Sequence, residues 1–302
     1  MAMATNSFTR VNSDFESAGT RCAAWLYLPG GIKLPPVIVM AHGFGARRTW
    51  LLPRHAEIFA AAGFAVFLFD YRCFGDSDGE PRQMVNPFHH VEDWRHALRH
   101  VRSLSAVHTG KIGLWGTSYS GGHVITLCAE DPAVRCAVAH APYVGGRGAT
   151  PKAGVTHKVR AFYHGLKDVV CQAVLKKPHL IAQAPEPGGP FAFFPDPHSY
   201  EMITTRLIPK GEEWDNRIPA RIALTFLFYN PIRRADRIKC PVLIQYGTDD
   251  EMTPAAPIHW VAAKISRAET SEYHCGHFDF AVGELFERST REQADFFRRH
   301  LT

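Results

Sequence analysis

Apolar residues along this chain follow two rhythms that take turns. Short runs that are apolar at every position, such as Val37-Ile38-Val39-Met40-Ala41 and Ala65-Val66-Phe67-Leu68-Phe69, are separated by longer stretches with apolar residues three and four apart. A strand apolar on both faces belongs in a parallel sheet covered on both sides, and the helical period belongs to the covering helices. The pattern predicts strands over 22–28, 36–41, 65–69, 111–115 and 136–141, and helices over 54–62, 88–103 and 123–130. In the helix at 88–103 the stripe is Val91, Trp94, Leu98 and Val101.

The rhythm stops after Pro142. Residues 143–236 are rich in proline, glycine and aromatic side chains, with helical stretches expected at 158–175 and 221–229. A segment this long without sheet periodicity does not suit a simple loop of a compact domain. It is expected to be a lid, residues 143–236, inserted into an α/β core formed by residues 1–142 and 237–302. The alternation resumes with a strand at 242–246, a helix at 255–265, a strand at 271–274 and a last helix at 284–300.

Composition narrows the classes. With 302 residues, 46% hydrophobic and 21% charged, the chain suits a globular enzyme. The net charge of +5 comes from scattered arginines rather than a basic block, so no nucleic-acid partner is expected. Seven cysteines without C-x-x-C spacing argue against a disulfide framework or a zinc knuckle. The N-terminal residues do not read as a signal peptide, and no apolar run approaches the roughly 18 residues of a membrane span. The expectation is a cytoplasmic protein with no membrane partner; nothing in the charge obstructs a homodimer.

The candidate chemistry begins at Gly116-Thr117-Ser118-Tyr119-Ser120-Gly121-Gly122, where an apolar run meets a helix. A serine among small residues at a strand-to-helix corner has the form of a nucleophile elbow, G-x-S-x-G, with Ser120 in place of the last glycine. A serine hydroxyl needs a base to take its proton and a carboxylate to orient that base. The strand at 242–246 runs into Gly247-Thr248-Asp249-Asp250-Glu251-Met252-Thr253-Pro254. The usual spacing, three after the glycine and four before the proline, selects Asp250, with Asp249 and then Glu251 as alternatives. Of the two later histidines, His277 follows the turn-forming Gly276, whereas His274 belongs to the strand. An oxyanion needs N–H donors; the Tyr119 amide and the Phe44 amide in His42-Gly43-Phe44-Gly45 fit, with His42 bracing the loop. His89, His90, His96 and His100 repeat at helical spacing but lack an accompanying carboxylate or cysteine set, so they are read as surface or satisfied side chains. No metal and no organic cofactor is required.

Taken together, H-G-F-G at 42–45, F-D-Y-R-x-F-G-x-S-x-G at 69–79, G-T-S-Y-S-G-G at 116–122, D-x-x-x-P at 250–254 and G-H-F-D at 276–279 resemble an α/β-hydrolase over nearly all of the chain outside the lid. Asp70, Arg72, Gly75 and Ser77 match the turn after that superfamily's fourth strand, where they look structural. The form G-T-S-Y-S-G-G-H, with the sequences at 221–224 and 231–232, resembles the branch of fungal polyketide transferase-like proteins and related bacterial hydrolases, in which serine after the aromatic recurs. The resemblance implies a mostly parallel central sheet flanked by helices with an inserted lid. It also implies a serine esterase acting through Ser118, His277 and Asp250 on a small-molecule ester or acyl substrate. Acyl transfer and thioester hydrolysis on a polyketide-like or other apolar acyl group use the same acyl-enzyme, and peptidase chemistry stays open beside them. A non-catalytic binding protein of this fold is the third reading, and the complete set of triad residues speaks against it.

Overall fold

The structure, a computed structural model, describes residues 7–145 and 153–302. It opens with β1 (Phe8–Asn12), β2 (Phe15–Ser17), β3 (Thr20–Cys22), β4 (Ala24–Pro29) and β5 (Val37–Ala41). Helices and strands then alternate: α1 (Leu52–Ala61), β6 (Ala65–Phe69), α2 (Pro87–Ser103), β7 (Ile112–Thr117), α3 (Tyr119–Glu130) and β8 (Cys136–His140). The segment expected to be a lid holds α4 (Val155–Leu175), β9 (Leu180–Ala182), α5 (Ser199–Met202), β10 (Arg217–Pro219) and α6 (Ile222–Thr225). The chain closes with β11 (Val242–Gly247), α7 (Ala255–Lys264), β12 (Ala268–Tyr273) and α8 (Gly283–Leu301).

Eight strands form one sheet in the order β1-β4-β6-β5-β7-β8-β11-β12. β1, β4 and β6 pair antiparallel, and every pair from β6 to β12 is parallel. Alternate positions of one strand enter different cores, which is why the runs are apolar throughout. Val37, Val39 and Ala41 of β5 pack with Trp94 and Leu98 of α2 and Val124 of α3 on one face. Ile38 and Met40 pack with Phe59 of α1 and Phe297 of α8 on the other.

The expected elements and the observed ones differ mostly at their ends. Helix α3 starts at Tyr119, four residues before the glycine-based expectation, because Gly121 and Gly122 are helical and pack where a Cβ would strike Pro142 and the Tyr143 carbonyl. The expected strand at 22–28 is two strands, β3 and β4, and the edge strand β1, mostly polar and exposed, gave no apolar signal. The helical stretch expected at 221–229 is α6 followed by a 3₁₀ turn, Phe226–Phe228. Pro87 at the first turn of α2 fits the helix start, with Asn86 Oδ1 accepting from the Phe88 and His89 amides at 3.0 and 3.4 Å. Among the described residues, no helix is long and apolar enough to cross a membrane.

Candidate active site

Ser118 stands alone between β7 and α3, with φ 55° and ψ −120°. A non-glycine residue at positive φ is strained and persists only where its surroundings hold it. Here the Ser118 N–H donates to the His140 carbonyl at 2.8 Å, and its own carbonyl accepts from Tyr143 N–H at 2.8 Å. Close packing completes the corner: a Cβ on Gly116 would lie 2.5 Å from the Ser120 carbonyl oxygen. Ser120 fits because its side chain turns the other way. Its hydroxyl lies 2.8 Å from the Tyr71 hydroxyl, which also accepts from Trp94 Nε1 at 2.8 Å, and all three side chains are buried.

The structure brings the other candidates to this corner. His277 Nε2 lies 3.0 Å from Ser118 Oγ, and His277 Nδ1 lies 2.6 Å from Asp250 Oδ2. Asp250 is buried at the end of β11, where Oδ1 accepts from the Met252 and Thr253 amides at 2.8 and 2.7 Å. Thr253 Oγ1 donates to Oδ2 at 2.7 Å. The alternatives lie elsewhere. Asp249 faces the exposed His274 at 3.3 Å, with 56% and 89% of the two side chains exposed, and Glu251 is exposed.

The loop after β5 presses on the serine: a Cβ on Gly43 would lie 3.2 Å from Ser118 Cβ. Phe44 follows, its carbonyl accepting from buried Gln183 Nε2 at 3.3 Å. Tyr119 is the first residue of α3, so its N–H has no intrahelical acceptor. His42 is fully buried beneath this loop, with Nδ1 3.0 Å from the Gly43 carbonyl and the ring edge-on to Tyr71; burial lowers its pKa, keeping it neutral. The turn after β6 is structural in its contacts. Asp70 Oδ1 accepts from Arg48 N–H at 2.7 Å and its Oδ2 pairs with the Arg48 guanidinium, Ser77 Oγ donates to the Asp70 carbonyl at 2.8 Å, and Arg72 pairs with Asp93 at 2.6 Å. In α2, His90 stacks on Tyr71 at 4.0 Å and His100 Nε2 lies 3.0 Å from Ser13 Oγ.

Several contributors were given no role from the sequence. Thr253, three residues after Asp250, is legible in retrospect as the hydroxyl that closes the acid loop. Asp279 is another: its Oδ2 accepts from Gly276 N–H at 2.7 Å and Oδ1 pairs with Arg206, so the turn before His277 is tied to the 143–236 segment. Burial pushes the Asp279 carboxyl up, but the Gly276 amide and Arg206 outweigh it and leave it below the usual carboxylate range. His140, under the corner, is driven down to about 3 by burial, with His277 pushing the same way. Above Ser118 lies a cavity of about 510 Å³, walled by Phe44, Tyr119, Tyr143, Phe162, Phe193 and Phe226 among others.

The sequence profile of the X-Pro dipeptidyl-peptidase (S15) family matches residues 18–276. The chain belongs to this family of α/β-hydrolases. Within the superfamily, it is 35% identical over 285 residues to the quorum-quenching protein AidA of Acinetobacter baumannii, covering 94% of this chain and 93% of that protein. It is 29% identical over 282 residues to the polyketide transferase af380 of Aspergillus fumigatus, covering 92% and 93% of the two chains. The crystal structure of the α/β-hydrolase GrgF from a Penicillium species superposes with a TM-score of 0.85 over 97% of this chain and 99% of that one, at 22% identity, a likeness of fold. This S15-family chain thus has a quorum-quenching protein and a polyketide transferase among its relatives along nearly its whole length.

Proposed function

We propose that the protein is a serine hydrolase that cleaves carboxylic esters through an acyl-enzyme. The observation that carries this reading is the unbroken relay from Ser118 Oγ through His277 to buried Asp250, at distances of 3.0 and 2.6 Å. In the first half, Ser118 Oγ attacks the ester carbonyl carbon while His277 Nε2 takes the hydroxyl proton. Asp250 holds the Nδ1–H tautomer and stabilises the imidazolium. The Phe44 and Tyr119 amides donate to the oxyanion. Collapse breaks the bond to the leaving alcohol, which receives the proton from His277. A water then attacks the acyl-enzyme, gives its proton to His277 and frees the acid; the proton returns to Ser118 Oγ. Residues 143–236 act as the cap over this site.

An alcohol or amine in place of that water turns the same intermediate to acyl transfer. The polyketide transferase relative and the apolar cavity favour this second reading. Dipeptide release, named in the family description, finds less support. An X-Pro dipeptide presents an α-ammonium, yet no aspartate or glutamate is among the described residues lining the cavity, and residues 146–152 contain none.

A fluorophosphonate probe tests the nucleophile. The expected result is labelling of the wild-type protein and none of a folded Ser118→Ala variant. Labelling that persists in the variant would assign the nucleophile to another residue.

A further inference from the structure

The space around Ser118 is divided in two. The large lobe, about 510 Å³, is bounded by Tyr119, Tyr143, Phe162 and Phe226. A small lobe of about 90 Å³ shares Ser118, Phe44, Phe194 and Met252 with it, and His277 lines the small lobe alone. A general acid must stand within hydrogen-bond reach of the atom it protonates. A leaving group that receives its proton from His277 Nε2 therefore departs on the side of the small lobe, and the acyl chain extends into the large one.

The walls of the small lobe set its capacity. Ile203 and Leu207 close it from a single π-helical turn, Ile203–Leu207, a backbone form that is rare and often found at functional sites. The Arg206–Asp279 pair binds that turn to the loop carrying His277. At roughly 10–15 Å³ per water-sized occupant, the lobe of about 90 Å³ takes about six to nine heavy atoms. Its lining, like that of the large lobe, is mostly apolar, with Trp50, Leu52, Ile203, Leu207, Phe278 and Phe280 among its walls. Gln183 Oε1 and both ring nitrogens of His140, buried residues of the small lobe, have no hydrogen-bond partner among the described residues. These atoms are sealed beneath the wall rather than open to the lobe, so the size of the lobe, not its polarity, limits the leaving group.

Resting on the hydrolase reading above, we infer that the substrate class is a long, apolar acyl group without a cationic head, esterified to a small alcohol. The same small lobe receives the accepting alcohol or amine in acyl transfer. The lobes thus discriminate both halves of the substrate.

Two ester series read by pH-stat test the assignment. Among methyl esters, kcat/KM should rise from acetate to hexanoate by at least about tenfold and up to on the order of 200-fold, because each buried methylene is worth about fourfold. Among octanoate esters, kcat/KM should fall at least about tenfold from methanol to octanol. Leu207→Ala should raise the octyl-to-methyl ratio by about tenfold, and Phe226→Ala should alter the acyl-length dependence without changing that ratio. A kcat/KM that rises with alcohol length while Ser118 still takes the fluorophosphonate label would overturn the lobe assignment and leave the hydrolase reading standing. Loss of both turnover and label would overturn the two together.

Discussion

Replacing Asp250 by asparagine separates the chemistry of the relay from its architecture. Asp250 Oδ1 accepts from the Met252 and Thr253 amides at 2.8 and 2.7 Å, and an asparagine carbonyl can keep both bonds. The other position changes sign. Oδ2 accepts from His277 Nδ1 at 2.6 Å and from Thr253 Oγ1 at 2.7 Å, and an amide NH₂ there donates instead. His277 is then driven to the tautomer with its proton on Nε2, which cannot accept from Ser118 Oγ at 3.0 Å. The wrong tautomer and the lost stabilisation of the imidazolium cost about 10³–10⁴ in kcat, or about 4–5.5 kcal/mol at 1.36 kcal/mol per decade. Asp249→Asn alters an exposed contact with His274 and should change kcat by less than about threefold. The assay is pH-stat hydrolysis of a medium-chain methyl ester, because an unactivated leaving group needs the proton from His277. Thermal melting should show both variants folded, with Asp250→Asn within a few degrees of wild type. A larger loss in Asp249→Asn than in Asp250→Asn would refute this placement of the acid.

Three further outcomes follow from the same contacts. Ser120→Gly removes the hydroxyl that meets Tyr71 and adds a glycine to the first turn of α3, so stability should drop by about 1–3 kcal/mol with activity within a few-fold of wild type, as read by denaturant melts and pH-stat rates. Gly43→Ala puts a methyl 3.2 Å from Ser118 Cβ and should reduce kcat at least about tenfold, with little change in melting temperature. Burial lowers His123 and His140 to about 3, so both stay neutral in the fold while the unfolded chain takes protons near 6.5. Their contribution to stability is unchanged above pH 6.5 and falls as pH drops from 6.5 toward 3, by about 2.7 kcal/mol each at pH 4.5. His140→Leu should flatten that slope in a chemical-denaturation series; an unaltered slope would show that His140 is not held neutral.

Much of the candidate site was legible because its parts are local. A strained corner demands small neighbours, an acid loop demands its glycine and proline, and a histidine aimed back at the corner demands a turn, so Ser118, Asp250 and His277 each stood out in a short stretch. What the sequence hid is long-range. Ser120 looks like a defect until Tyr71, 49 residues away, is seen to meet its hydroxyl. Gln183 and the π-helical turn at Ile203–Leu207 reach the site by packing of a segment without periodicity, and no spacing announces them. The same holds for the fold: strands apolar on both faces were read directly, whereas the exposed edge strand Phe8–Asn12 buries too little to leave a pattern.

The most direct measurement is the mass of the protein quenched during turnover of a medium-chain methyl ester, followed by peptide mapping. A Ser118 nucleophile relayed through His277 and Asp250 predicts a mass increase equal to the acyl group on the peptide containing Ser118, enhanced when Asp250→Asn or His277→Ala slows deacylation and absent in Ser118→Ala. An acyl adduct on any other residue, or sustained turnover by folded Ser118→Ala, would contradict it.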